Sequence, residues 1–187
     1  MNTSYDYIVV GGGSAGCAVS SRLADAGMDT LALLEAGGSD HRPEIIIPLG
    51  FATTVFRRGP TNYAFRTEPQ PALNGREGLQ PRGRGLGGSS SINAMVYTRG
   101  VPSDYDRWAT LGAHGWAWKD VLPYFKRSEC NIRLAGRDED AFHGGQGPLH
   151  VCDTRTTNPF DYRFIEASLQ AGIPFNHDFN GAVQEGV

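Results

Sequence analysis

Glycine falls in two dense runs. Gly11-Gly12-Gly13-Ser14-Ala15-Gly16 follows directly on the β-branched run Tyr7-Ile8-Val9-Val10, and Gly83-Arg84-Gly85-Leu86-Gly87-Gly88-Ser89-Ser90 lies far downstream. The first run does most to restrict the fold. A short apolar stretch of this kind reads as a buried parallel strand. After the glycines, Ala15, Ala18, Val19, Leu23 and Ala26 recur at helical spacing, and Gly27 is placed to end the helix. A second apolar strand, Thr30 to Leu34, ends in Glu35. Strand, GxGxxG, helix, strand and acid in this order form the βαβ unit of a dinucleotide-binding fold. The fold class is therefore α/β and Rossmann-like.

Each part of that unit has a physical task. Gly11 permits the tight turn, Gly13 lets backbone approach a pyrophosphate, and Gly16 lets helix and strand pack closely. The helix N-terminus offers unpaired N–H groups and partial positive charge to phosphate. Glu35 stands where a carboxylate accepts from the hydroxyls of an adenosine ribose, and it would repel a 2′-phosphate, which disfavours NADP. The motif alone leaves NAD and FAD both open.

Composition narrows the classes further. The 25 glycines among 187 residues exceed average usage, and they cluster where a ligand would meet backbone. A net charge of −3 argues against nucleic acid as the main partner. Cys17, Cys130 and Cys152 form no metal motif and no even disulfide set, which fits a reduced, cytoplasmic protein. No apolar run is long enough for a transmembrane segment. At this length a sizeable core is expected.

The second run continues as Arg82-Gly83-Arg84-Gly85-Leu86-Gly87-Gly88-Ser89-Ser90-Ser91-Ile92-Asn93-Ala94-Met95-Val96-Tyr97-Thr98-Arg99-Gly100. This stretch closely resembles the first signature of the glucose–methanol–choline (GMC) oxidoreductases. Asp104-Tyr105-Asp106-Arg107-Trp108, the block from Gly115 to Glu129, His143-Gly144-Gly145-Gln146-Gly147-Pro148-Leu149, and the block from Asp178 to Val187 resemble later blocks of the same family. The resemblance spans the chain in order and comes nearest to the choline dehydrogenase-like and alcohol dehydrogenase-like branch.

The resemblance implies FAD, bound extended, with Gly87 and Gly88 against the cofactor and Asn93 to Val96 passing the flavin ring. The cofactor-binding set it implies is Gly11, Gly13, Ser14, Ala15, Gly16, Glu35, Ala36, Arg84, Gly87, Gly88, Ser89, Asn93, Ala94, Met95 and Val96. Ser91 reads as a solvated loop residue. Some members tether FAD through a histidine just before the asparagine; here Ile92 stands there, so non-covalent FAD is expected. The family's catalytic histidine lies near the C-terminus of a chain more than twice this long, so no catalytic residue is expected here. The resemblance divides the chain into part of an FAD-binding domain, 1–147, and the beginning of an α+β substrate-binding domain, 148–187, together an incomplete fold. It implies oxidation of a primary alcohol, with hydride passing to flavin N5 and oxygen or a quinone as acceptor. The alternatives are a non-catalytic dinucleotide-binding remnant and an NAD-dependent Rossmann dehydrogenase; the second glycine run speaks against the latter.

Elsewhere the reading is plainer. His41 to Pro81 has no sustained periodicity and six prolines, so it reads as a long loop or lid, with Asn62, Tyr63 and Phe65 as lid or packing residues. Ser103 reads as a helix N-cap. Trp108, Trp116 and Trp118 read as buried against a sheet. Leu122 to Cys130 reads as a helix with Pro123 in its first turns. Leu149 and Val151 mark a strand, and Phe160, Phe164, Ala167 and Ala171 mark one face of a helix ended by Gly172. The five histidines lack metal spacing, and His143 reads as a loop-structuring residue.

Overall fold

The computed structural model describes residues 4–27, 30–134, 136–137 and 140–187, in two compact units that divide between Val96 and Tyr97. In the first, strand β1 (Tyr7–Val10) leads into helix α1 (Ser14–Asp25), which returns the chain to strand β2 (Leu31–Leu34). The strands pair in parallel, Tyr7 opposite Leu31 and Val10 opposite Leu34. Their entry is fixed by a side-chain clasp: Thr30 Oγ1 donates to Asp6 Oδ2, and Asp6 N–H donates to Thr30 Oγ1 at 2.9 Å. Helix α1 contacts both strands, with Val9 facing Gly16. Strand β1 was expected to be buried. Instead Ile8, Val10 and Leu34 are exposed, because among the described residues the sheet has two strands and apolar positions remain uncovered.

The stretch from His41 to Pro81 is built of short elements, in contrast to the expected loop. It holds helices α2 (Pro43–Ile46) and α3 (Phe51–Thr54) and an antiparallel pair, β3 (Phe65–Arg66) with β4 (Leu79–Gln80). Prolines start three of its helical turns, at Pro43, Pro48 and Pro71, where a missing N–H costs nothing. Asn62, 1 % exposed, organises the stretch. Its Nδ2 donates to the carbonyls of Thr54, Val55 and Arg57, and its Oδ1 accepts from the amides of Ala64 and Arg82. Tyr63 and Phe65 stack at 5.2 Å.

The second unit contains helices α4 (Pro102–Thr110) and α5 (Trp118–Ser128), the parallel pair β5 (Glu129–Asn131) and β6 (Leu149–Val151), and helix α6 (Pro159–Gln170). Three expectations need correction. The cap of α4 is Val101 rather than Ser103: Pro102 occupies the first helical position, and Asp104 Oδ2 accepts from Val101 N–H at 3.1 Å. Helix α5 starts at Trp118, which places Pro123 inside it, and the chain is already a strand at Glu129. The tryptophans pack on helices rather than against the sheet. Tyr105 meets Trp108, Trp118 and Phe125 at 5.3–5.6 Å, while Trp108 and Trp116 stay about half exposed. Strand β6 and helix α6 form where expected, and Gly172 follows α6 with φ +86°. Phe160 and Phe164 are, however, exposed.

The interior differs from the sizeable apolar core expected at this length. Among the described residues the buried hydrophobics are Ile92 and Tyr105, alongside nine buried polar or charged residues. In the second unit four of them, Arg99, Glu129, Asn131 and His143, form one network around Glu129, which is fully buried. Arg99 Nη2 donates to Glu129 Oε2 at 2.7 Å, and the guanidinium lies 5.1 Å from the centre of the Phe125 ring. His143 Nδ1 lies 2.9 Å from Glu129 Oε1, and its Nε2 lies 2.9 Å from Asp178 Oδ2. Asn131 Nδ2 and Gly144 N–H also donate to Glu129. Buried charges persist only when paired and hydrogen-bonded, and this one is both. The loop-structuring part expected of His143 is what these contacts show.

Candidate functional site

The site lies in the first unit, at the end of β1. Gly13 caps α1 in an extended conformation and has no side chain to offer the first turn. The amides of Ser14, Ala15 and Gly16 therefore head the helix without a side-chain cap, the arrangement that attracts an anion. The loop preceding them is anchored where Gly11 N–H donates to Leu34 O at 2.7 Å.

The second glycine run comes directly onto the first. Gly87 N–H donates to Gly12 O at 2.7 Å, and Gly13 and Gly87 form a parallel bridge. Gly87 and Gly88 have φ +84° and +56°, the left-handed region that glycine enters freely. A Cβ at Gly88 would lie 2.8 Å from the Cα of Gly13. Backbone meets backbone here with no room for side chains, which is the surface a pyrophosphate needs.

Glu35 sits behind this junction. Its Oε2 accepts from Gly12 N–H at 2.7 Å, and its Oε1 accepts from Gly37 N–H at 2.8 Å and Gly85 N–H at 3.0 Å. The Gly37 amide most of all, helped by those of Gly12 and Gly85 and opposed by partial burial, holds its carboxyl below the ordinary carboxylate range. Ala36 follows, exposed, and adds a further amide in the same sense.

The remaining candidates are less concentrated. Ser89 Oγ accepts from Gly83 N–H at 3.1 Å. Ser91 is half-buried and its hydroxyl donates to Leu86 O at 2.7 Å in a solvent-exposed bond, which gives it a part in the turn besides its contact with solvent. The Arg84 guanidinium lies 5.5 Å from the centre of the Tyr63 ring, and its backbone amide donates to Thr61 O. Ile92 is 3 % exposed and anchors the end of the second run. Asn93, Ala94, Met95 and Val96 are all exposed, and Asn93 Oδ1 accepts from Met95 N–H at 2.9 Å. Met95 has φ +58°, a left-handed conformation unusual outside glycine.

Gly12, Gly37 and Gly85 were not singled out from sequence, although their amides bond the Glu35 carboxylate at 2.7–3.0 Å. The Gly37-Gly38 doublet immediately after Glu35 was the available signal.

Comparison with known proteins agrees with this geometry. The family model described as GMC oxidoreductase matches residues 5–187. The chain is 48 % identical over 183 residues to an alcohol dehydrogenase [acceptor] of Pseudomonas putida, covering 98 % of this chain and 32 % of that protein. It is 46 % identical over 190 residues to an oxygen-dependent choline dehydrogenase of Photobacterium profundum, covering 100 % and 32 %. Among solved structures, pyridoxine 4-oxidase from Mesorbium loti superposes with a TM-score of 0.85 at 34 % identity, over 98 % of this chain and 35 % of that one. The chain thus spans about a third of the length of these relatives. With two glycine runs joined at a helix N-terminus and a family match over nearly its whole length, the chain belongs to the GMC oxidoreductases.

Proposed function

We propose that this chain is the N-terminal, cofactor-holding part of an FAD-dependent oxidoreductase that oxidises a primary alcohol to an aldehyde. The observation that carries this reading is the junction of Gly13 with Gly87 and Gly88 at the head of α1. The cradle fits a dinucleotide: its walls are backbone, a Cβ at Gly88 would block it, and the helix amides face it uncapped. When bound, FAD supplies the hydride acceptor at N5. Ser14, Ala15 and Gly16 hold the pyrophosphate by their amides. Glu35 and Ala36 stand at the adenosine end, with Arg84 and Ser89 on the second run. Asn93, Ala94 and Val96 offer donors to the flavin ring, where N–H groups stabilise charge gained on reduction, and Met95, its own amide held by Asn93 Oδ1, lines the same stretch.

Residues 1–147 belong to the cofactor domain and 148–187 open the substrate domain. The general base comes from elsewhere; both ring nitrogens of His143 are engaged by carboxylates, which suits a structural residue. The choline and alcohol dehydrogenases among its relatives support an alcohol substrate; the acceptor in this reading is oxygen or a quinone. Three free thiols support a reducing, cytoplasmic setting, and no helix among the described residues is long and apolar enough to cross a membrane.

The test is the visible spectrum of the purified chain after reconstitution with FAD. Bound flavin that leaves with the supernatant on denaturation is expected, since Ile92 replaces the tethering histidine. Colour that stays with the protein overturns the non-covalent assignment. Reconstitution with NAD but not FAD overturns the cofactor.

A further inference from the structure

The glycine runs raise a problem that the ligand alone does not solve. Eight residues of the cradle, Gly11 to Gly13, Gly16, Gly83, Gly85, Gly87 and Gly88, have no side chain with which to fix a loop. Glycine loses more conformational freedom on ordering than any other residue. The runs touch directly through the Gly87–Gly12 bond, and a contact from outside them can add to that in setting their spacing before a ligand arrives.

Glu35 is in position to do so. Its bonds reach three separate segments: Gly12 on the first run, Gly37 on the turn leaving β2, and Gly85 on the second run. Glu35 itself is anchored at the end of β2, whose register with β1 is fixed. Bonds to an ionised acceptor are roughly twice as strong as neutral ones. Of about four acceptor positions on a carboxylate, three are already filled by amides. A carboxylate next to a phosphate site is otherwise unfavourable, but here its charge is absorbed by those amides.

We propose that Glu35 is a positioning residue that holds the two glycine runs at the separation the dinucleotide requires, by accepting N–H bonds from Gly12, Gly37 and Gly85 together. This role rests on the cofactor reading above and adds to any contact Glu35 makes with the ribose.

The experiment compares E35Q with the parent chain in two measurements. The first is amide hydrogen exchange at Gly12, Gly37 and Gly85 without ligand. Removing the charged acceptor should speed exchange at all three by about ten-fold or more. The second is the affinity for FAD and for an FAD analogue carrying 2′,3′-dideoxyadenosine. A positioning residue weakens binding of the dideoxy analogue as well as of FAD, whatever FAD loses in addition through its ribose hydroxyls. Loss confined to FAD, with exchange unchanged, makes Glu35 a ribose ligand only and overturns the proposal. If the parent chain binds neither flavin, the cofactor reading fails, and the exchange measurement decides the positioning role by itself. Should E35Q unfold, E35D carries the same comparison, since it keeps the charge and withdraws it by one methylene.

Discussion

Gly16, in the first turn of α1, packs directly against the carbonyl oxygen of Gly11 at the end of β1. A Cβ at position 16 would collide with that oxygen, with Val9 close behind. Alanine is the better helix former by about 1 kcal/mol, so on propensity alone G16A would stabilise. The obstacle is backbone and cannot rotate away. Overpacking of this kind costs about 1–3 kcal/mol, and the collision wins. G16A should lower the urea midpoint and release flavin more readily. A midpoint equal to or above the parent's would show that α1 shifts freely against β1.

Glu129 is the acceptor that four other groups share. Removing one partner from a buried pair leaves an unpaired buried charge, at a cost of about 3–5 kcal/mol. E129A should therefore leave Arg99 stranded and unfold the second unit at moderate denaturant. The double variant E129L/R99M removes both charges and should recover only the part due to the stranded guanidinium, because Asn131, His143 and the Gly144 amide still lose their acceptor. Equilibrium denaturation of the parent and both variants checks this.

His143 makes stability depend on pH. Burial alone would push its pKa down, but hydrogen bonds to Glu129 and Asp178 outweigh it and raise it above the ordinary histidine value. Below the unfolded pKa of about 6.5 the imidazolium forms in both states and the folded chain gains the full benefit of its two carboxylates. As pH rises through the raised folded value that benefit disappears. The stability difference between parent and H143Q should shrink steadily as pH rises from about 6 upward. A difference that is flat with pH, or that grows, would mean the ring is neutral in the fold.

Asn62 carries five hydrogen bonds from one amide. N62D replaces the three donations by a charge facing three carbonyl oxygens. Stranding buried polar groups costs about 1–3 kcal/mol each. Hydrogen exchange should rise across residues 51–82 and leave α1 largely protected. Uniform loss of protection throughout the first unit would show that this stretch and the βαβ unit open together.

The parts legible in sequence are those specified by short-range spacing. Tyr7 to Glu35 declares strand, turn, helix and strand within one local window, and the glycines of the second run can only serve a crowded backbone. The network around Glu129 is not legible, because Arg99, His143 and Asp178 come from distant segments and nothing local pairs them. The helices between His41 and Pro81 escape because they are one turn long, too short for periodicity to register, and the end of α3 is held by the side chain of Asn62. Glu35 is recognisable as a site residue, but its three amide partners, two of them close in number to it or to the first run and one far away, become apparent only in three dimensions.

The bridge between Gly13 and Gly87 also fixes when a binding site can exist during synthesis. The familiar GxGxxG turn is complete once β2 has emerged from the ribosome. Its opposite wall is encoded far downstream, and closing so large a loop of chain costs about 4 kcal/mol of entropy. The nascent protein thus passes through a stage in which the fingerprint is folded but cannot grip a dinucleotide. On the proposed reading of the cradle, cofactor loading is then a late event that awaits Gly87 and Gly88, and a chain released before them would display the motif without its opposite wall.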